Sequence, residues 1–177
     1  MKRSIALLVV LLLAAMPAAA AVEAFTPYDH HIKYTANGKY VVYEFPDIML
    51  YLPIEWEDAV TVEQTDRGAA FYQTASHEKY LEQDIPGGGF LFELRASADE
   101  SYRELPAFED LGYSEDAGLH FYLLLPSDYP AWPEDADIRA AYDEMHSQIG
   151  EIVEKAKLSR SMHYYTDGIE HTDAGMS

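Results

Sequence analysis

The apolar residues change their spacing along this chain, from alternation in its middle part to a helical repeat near its end. Between residues 40 and 125, apolar side chains recur at every second position in several short segments, the pattern of β-strands with one buried face. After residue 133 the spacing becomes three and four, the pattern of an amphipathic helix. Strands first and one long helix last favour an α+β fold, an antiparallel sheet with a long C-terminal helix and short helices packed on it.

Six segments are predicted to be strands. Four of them form two hairpins, at residues 40–45, 48–52, 59–64 and 69–73. Residues 90–96 alternate most regularly, with Glu93 and Arg95 on the face opposite to the apolar side chains. Residues 119–125 are apolar nearly throughout, which predicts a central strand covered on both faces.

Two helices are predicted. Residues 76–83 form a short polar helix that Thr74 or Ser76 caps. The long helix carries one apolar stripe, made of Ile138, Tyr142, Met145, Ile149, Ile152 and Ala156. Residues 99–112 lack a clear period and are predicted to be a loop with a helical turn at 107–111.

The N-terminus has the form of a secretory signal. Lys2 and Arg3 precede an apolar run from Ile5 to Met16, and small residues follow it. That run is shorter than the about 20 residues that a membrane-spanning helix needs, so we expect cleavage after Ala20 or Ala21 and no transmembrane segment afterwards. The predicted organisation is a signal peptide at 1–21, a flexible leader at 22–38, a single α+β domain at 39–158 and a disordered tail at 159–177.

Charge and cysteine content exclude several functions. The chain has 31 acidic against 12 basic residues, a net charge of −19, which disfavours nucleic acid as a partner because phosphate binding depends on Lys and Arg. It has no cysteine, so disulfides, cysteine metal sites and thiol nucleophiles are impossible. We expect a soluble monomer that needs no cofactor and is secreted or held at the cell envelope.

Three segments carry a resemblance to known proteins. They are residues 43–47 with 50–53 and Trp56, residues 70–73, and residues 88–92. Together they resemble a group of uncharacterised exported proteins of Gram-positive gut bacteria. More distantly, a strand that ends in Leu-Pro and is followed by Trp is similar to the opening of Mog1/PsbP-like domains, which are α/β/α sandwiches around an antiparallel sheet. The second resemblance implies a non-enzymatic accessory or binding role.

Aromatic residues supply the candidate ligand-binding site, and the tail supplies the candidate metal site. The chain has 14 tyrosines and 2 tryptophans, and such rings stack on sugars or peptides when they are exposed. The candidate ligand-binding residues are Trp56, Trp132, Tyr72 and Tyr122. The candidate metal ligands are His163, Asp167, Glu170 and His171, whose imidazole and carboxylate groups suit zinc or another divalent ion.

Other patterns favour structural roles. Ser76 and Lys79 fit the Ser-x-x-Lys motif of penicillin-recognising enzymes, and residues 127–129 loosely fit a second motif, but the Lys-Thr-Gly element is absent. This favours Ser76 as a helix cap and Lys79 as a solvated side chain. Asp143 and His146 lie one helical turn apart, which indicates a surface pair.

The sequence is consistent with three functions. The sequence favours an exported binding or accessory protein without a catalytic centre. The first alternative is a carboxylate-dependent hydrolase of cell-wall or carbohydrate material, which needs two carboxylates that face each other across a cleft. The second alternative is an acidic protein that binds divalent ions.

Overall fold

Residues 31–158, which the computed structural model describes, form nine strands and three helices. The strands are β1 (His31–Tyr34), β2 (Tyr40–Glu44), β3 (Ile48–Pro53), β4 (Val60–Gln64), β5 (Gly68–Gln73), β6 (Phe90–Ser97), β7 (Phe108–Ser114), β8 (Leu119–Leu124) and β9 (Lys157–Leu158). The helices are α1 (Thr74–Leu81), α2 (Ala136–Ser147) and α3 (Ile149–Lys155). Two short 3₁₀ turns cover Ile54–Trp56 and Glu100–Glu104.

The strands belong to two antiparallel sheets. The first has the order β1-β2-β3-β9 and the second the order β4-β5-β6-β8-β7. The α+β class, the antiparallel pairing and the long C-terminal helix are confirmed, whereas the prediction of one sheet is corrected to two. Both predicted hairpins form, but the chain turns away through the 3₁₀ turn after Pro53, so the second hairpin starts a new sheet.

One apolar core joins the two sheets and the C-terminal helix. The ring of Tyr43 on β2 meets the ring of Phe71 on β5 edge to face, at 5.5 Å between centroids. Phe71 in turn stacks on Phe92 of β6 at 4.6 Å. Ile149 and Ile152 of α3 belong to the same core. Among residues 31–158, no helix combines the length and the apolar character needed to cross a membrane.

The C-terminal helix bends at Gln148, where α2 ends and α3 begins. The predicted stripe is buried on both sides of the bend, with Tyr142 1%, Met145 6% and Ile149 4% exposed. Asp135 caps the helix start by accepting hydrogen bonds from two backbone N–H groups, at 2.9 and 3.2 Å. At the bend, the Gln148 side chain accepts a hydrogen bond of 2.6 Å from the buried indole N–H of Trp56, which ties the helix to the end of β3.

Three strands lie where the sequence predicted none: β7, β1 and the two-residue β9, which pairs with β3. β7 replaces the predicted loop and helical turn at 99–112, because a bulge between Asp110 and Gly112 breaks the alternation of its residues. Gly112 adopts φ 107°, a conformation that favours glycine. β1 lies within the predicted leader. It is an edge strand of only four residues, in which Ile32 and Tyr34 alternate with polar residues but are half-exposed, so the alternation is too short to stand out.

The cap of α1 also differs from the prediction. The helix begins at Thr74, and the side chain of Gln73 accepts the hydrogen bond from the backbone N–H of Ser76 at 2.7 Å. Ser76 itself is fully buried, and its hydroxyl accepts a hydrogen bond from the backbone N–H of Trp132 at 3.1 Å. The prediction of Thr74 or Ser76 as the cap is wrong, because it relied on the preference of helix N-termini for serine and threonine, and glutamine is an uncommon cap.

Candidate functional site

The loop between β8 and α2 is fixed by the first helix and by the glycine-rich segment before β6. The Gly89 N–H donates a hydrogen bond to the Pro130 carbonyl at 2.8 Å, and the Tyr80 hydroxyl donates one to the Ala131 carbonyl at 3.2 Å. Gly89 adopts φ +76°, and a Cβ atom there would lie 2.8 Å from the Gln73 carbonyl oxygen. Only glycine fits this approach, so the triple glycine is a structural feature that holds the loop against α1.

A pocket lies where this loop meets α2. Its volume is about 210 Å³, and it is lined by Pro126, Asp128, Tyr129, Tyr142, Asp143 and His146. We call it the Asp128–Asp143 pocket. Its residues come from the loop and from two successive turns of the helix, because positions 142 and 146 share a helix face and 143 is adjacent to it.

Two tyrosine rings form the aromatic part of the pocket. Tyr142 is 1% exposed, and its hydroxyl donates a hydrogen bond of 2.8 Å to the Phe90 carbonyl oxygen. Tyr129 is 55% exposed and meets the Tyr142 ring edge to face, at 5.5 Å between centroids. The imidazole of His146 lies nearly parallel to the Tyr142 ring at 6.0 Å. One ring is therefore held firmly in the protein and the other faces solvent.

Both aspartates of the pocket lack a basic partner. Among residues 31–158, no Lys, Arg or His nitrogen lies within 4.0 Å of the carboxylates of Asp128 or Asp143. The expected surface pair of Asp143 and His146 is not formed. Asp143 instead accepts a hydrogen bond of 2.8 Å from the Tyr129 hydroxyl.

Burial and the nearby charges raise the pKa of both tyrosines of the pocket. Burial, followed by the charges of Tyr129, Asp143 and Asp128, raises the pKa of Tyr142 far above its usual value. Burial, the hydrogen bond to Asp143 and the charge of that carboxylate also raise the pKa of Tyr129. Both phenols therefore stay protonated at neutral pH and act as hydrogen-bond donors beside acidic groups.

The part of the chain that the structure describes contains no cluster of three or more His, Asp or Glu residues arranged to hold a metal ion. The predicted metal ligands His163, Asp167, Glu170 and His171 lie outside the described residues.

The four aromatic residues predicted to bind a ligand lie elsewhere and are at least nine-tenths buried. Trp56 is in the core, and Trp132 packs edge to face on Tyr80 at 5.0 Å. Tyr72 stacks on His77 at 4.2 Å, and Tyr122 stacks on a neighbouring tyrosine. These four rings present little surface to a ligand, whereas Tyr129 of the Asp128–Asp143 pocket is exposed, so we take that pocket as the candidate site.

A second group of polar side chains crosses the face of the five-stranded sheet that is opposite to the core. We call it the polar band; its members are Thr65, Glu93, Arg95, Tyr102, Asp110 and Tyr122. A hydrogen-bonded ion pair of 2.5 Å joins Glu93 to Arg95, and their side chains are only 6% and 17% exposed. Thr65 donates a further hydrogen bond to Glu93. Burial opposes the charge of Arg95, but the hydrogen bond and attraction to Glu93 outweigh it and raise the pKa of the guanidinium.

The Ser-x-x-Lys motif does not form a nucleophilic site. The Ser76 hydroxyl is buried against the backbone of Trp132, whereas Lys79 is half-exposed and pairs with Glu82 at 2.9 Å. The serine and the lysine therefore have separate partners, and neither lines the pocket.

The sequence contained most of the pocket in separate pieces. Residues 127–129 loosely fitted an enzyme motif, and the spacing of Asp143 and His146 predicted a surface pair. Tyr142 was predicted to belong to the apolar stripe of the long helix. What the sequence could not show is the tertiary contact that brings the loop onto the helix. A comparison of the chain with protein-family models, curated proteins and solved structures found no match.

Proposed function

We propose that this chain is an exported binding or accessory protein without a catalytic centre, and that a small ligand binds in the Asp128–Asp143 pocket. The observation that carries this proposal is the combination, in one pocket, of an aromatic surface with two carboxylates that have no basic nitrogen within 4.0 Å among residues 31–158. Pockets that bind small molecules typically join apolar rings to a few polar groups. Its volume of about 210 Å³ is below the range of drug-sized ligands, so it suits one chemical group of a ligand.

A fragment screen by NMR tests the pocket. Saturable shifts of the ring signals of Tyr129 and Tyr142 are expected for some fragments, and Tyr129→Ala is expected to remove them. Tyr113→Ala is the matched control, because Tyr113 is a similarly exposed tyrosine at 49% that lies on β7 and does not line the pocket. Binding that survives Tyr129→Ala, or that Tyr113→Ala removes, would place the ligand site elsewhere.

Export is the second part of the proposal. The basic residues, apolar run and small residues of positions 1–21 support it. Mass spectrometry of culture medium from a host that expresses the chain is expected to find a product that starts at Ala21 or Val22. An intact chain that starts at Met1 and stays with the cells would contradict export.

The resemblance to exported proteins of gut bacteria and to Mog1/PsbP-like domains stays a proposal as well. It is supported by the way β3 ends in Leu52–Pro53 and is followed by Trp56 in a 3₁₀ turn. An experimentally determined structure that superimposes on a PsbP-like sandwich over both sheets would support it, and one with a different strand order would end it.

A carboxylate-dependent hydrolase is the second candidate, because Asp128 and Asp143 line the same pocket. Two carboxylates on either side of a glycosidic bond can act as acid and base. Incubation with purified cell-wall material and with chitin oligosaccharides is expected to release no products. Product release that Asp128→Asn or Asp143→Asn abolishes would replace the binding proposal with the hydrolase.

A further inference from the structure

We propose that the ligand group taken by the Asp128–Asp143 pocket is an organic ammonium, a primary amine in its charged form; this rests on the binding function proposed above. The charge of the pocket gives the first argument. Two carboxylates line the pocket and no basic nitrogen of residues 31–158 lies within 4.0 Å of either; the charge of Arg139 does act on Tyr129, so the two aspartates outnumber the nearby arginine at the mouth of the pocket. A ligand that enters it is favoured if it carries positive charge.

The same molecule contains a comparable group of side chains that is completed by its own ammonium. On α3 and β2, the Tyr40 hydroxyl donates a hydrogen bond of 2.5 Å to Glu151, as Tyr129 does to Asp143. There the Lys155 ammonium lies 4.9 Å from the Tyr40 ring centroid and 3.9 Å from the Glu151 carboxylate. Tyrosine and carboxylate together therefore hold an amine at one end of the helix, and the pocket repeats the pair without a lysine.

The aromatic walls select an organic cation over a metal ion. A cation is attracted to the face of a tyrosine ring within about 6 Å of its centroid, and the exposed ring of Tyr129 offers such a face, supported edge to face by the buried ring of Tyr142. A divalent metal requires several oxygen or nitrogen ligands at short distance, and residues 31–158 contain no such cluster. The ring of Tyr142 is fixed by burial and by its hydrogen bond to Phe90, so this surface is preorganised.

Two sources could supply the ammonium, a free amine or a lysine side chain of a peptide. The experiment is an NMR titration of the purified chain at constant pH. The probes are n-butylammonium, the neutral n-butanol of similar shape, and the peptide Gly-Gly-Lys-Gly-Gly with blocked ends. Ring signals of Tyr129 and Tyr142 are the readout.

Saturable shifts are expected with n-butylammonium and not with n-butanol. Asp128→Asn and Asp143→Asn are each expected to weaken amine binding about fivefold. Glu144→Gln is the matched control, since it removes the same charge from an exposed position of α2 that does not line the pocket, and it is expected to leave binding unchanged. Binding of the peptide as tightly as the free amine would identify lysine side chains as ligands, and binding of the amine alone would identify small amines.

The failures of the two proposals are distinguishable. If neutral fragments bind the pocket while n-butylammonium does not, the proposal of an ammonium ligand is wrong and the binding function stands. The same holds if both aspartate variants bind the amine as tightly as the original chain does. If no fragment, charged or neutral, shifts the Tyr129 and Tyr142 signals, both proposals are overturned.

Discussion

The polar band and the Asp128–Asp143 pocket both contain carboxylates beside tyrosine rings, but the carboxylates differ in their burial and in their partners. In the polar band Glu93 is nearly buried, and both Arg95 and Thr65 satisfy its oxygens. In the pocket Asp128 and Asp143 are exposed and have no basic neighbour within 4.0 Å among the described residues. A buried charge must be paired for the chain to fold, whereas an exposed one can be left for a ligand. We therefore assign the first region to stability and, as proposed above, the second to binding.

The largest expected effect is the loss of Arg95. Arg95→Ala leaves the Glu93 carboxylate buried beside Thr65 alone, and breaking a buried ion pair from one side costs about 3–5 kcal/mol. Urea unfolding at pH 7 measures this loss. Lys79→Ala is the control, because its exposed pair with Glu82 is expected to contribute less than about 1 kcal/mol. Equal stabilities of the two variants would show that the polar band is not a structural charge pair.

The next effect concerns the bend of the C-terminal helix. Gln148→Ala leaves the indole N–H of Trp56 without its acceptor in the core, at an expected cost of about 1–3 kcal/mol in the free energy of unfolding. Gln148→Glu keeps an acceptor oxygen at this position and is expected to lose less. If Gln148→Ala were as stable as the original chain, the hydrogen bond would not fix the helix to β3.

Tyr142 belongs to both the core and the pocket, and its effect depends on pH. Its raised folded-state pKa means that the native state keeps the phenol protonated after the unfolded chain has ionised it near pH 10. The stability that this provides is complete below that pH and is lost as the pH rises toward the folded pKa. Tyr142→Phe is expected to cost about 1 kcal/mol at pH 7, through its bond to Phe90.

Above about pH 10 the same variant is expected to lose stability less steeply than the original chain, by about 1.4 kcal/mol per pH unit. Urea unfolding at several pH values between about 8 and 12 measures the slope. Parallel slopes for Tyr142→Phe and the original chain would contradict a shifted ionisation at this residue.

The smallest effect on stability is expected in the pocket itself. Asp128→Asn and Asp143→Asn change exposed groups without a basic partner, so each is expected to alter the unfolding free energy by less than about 0.5 kcal/mol. The same variants weaken amine binding, which separates a ligand site from a structural one. Destabilisation of either variant to the extent of Arg95→Ala would remove the distinction between the two regions.

The strands with strong apolar patterns and the long helix could be predicted from the sequence, whereas their assembly could not. Residues 119–125 and the stripe from Ile138 to Ile152 are dictated by burial, which leaves a periodic pattern. The bulge at Gly112 interrupts the pattern of β7, and the exposed edge strand β1 is too short to show a clear one. The separation into two sheets depends on how hairpins associate, which local turn chemistry does not encode.

The residues of the candidate site could be noted separately in the sequence, but their assembly into one pocket could not be predicted from it. Aromatic content pointed to Trp56 and Tyr122, but a ring in a loop or strand does not reveal whether it is exposed, and both are buried. The pocket instead depends on how the loop before α2 is held, and one contact that holds it is the hydrogen bond of Gly89 to Pro130, which is adjacent in the chain to Tyr129. That contact joins segments about 40 residues apart, beyond the reach of spacing rules.

The most direct measurement of the central claim is the intermolecular nuclear Overhauser effect between n-butylammonium and the tyrosine rings of the chain. Tyr34 is the internal control, because it is 56% exposed and also donates to a carboxylate, that of Glu57, but does not line the pocket. We predict Overhauser effects from the methylene protons next to the ammonium to the rings of Tyr129 and Tyr142, and none to the ring of Tyr34. Contacts to Tyr34 of equal strength, or contacts to neither pocket tyrosine, would contradict this prediction.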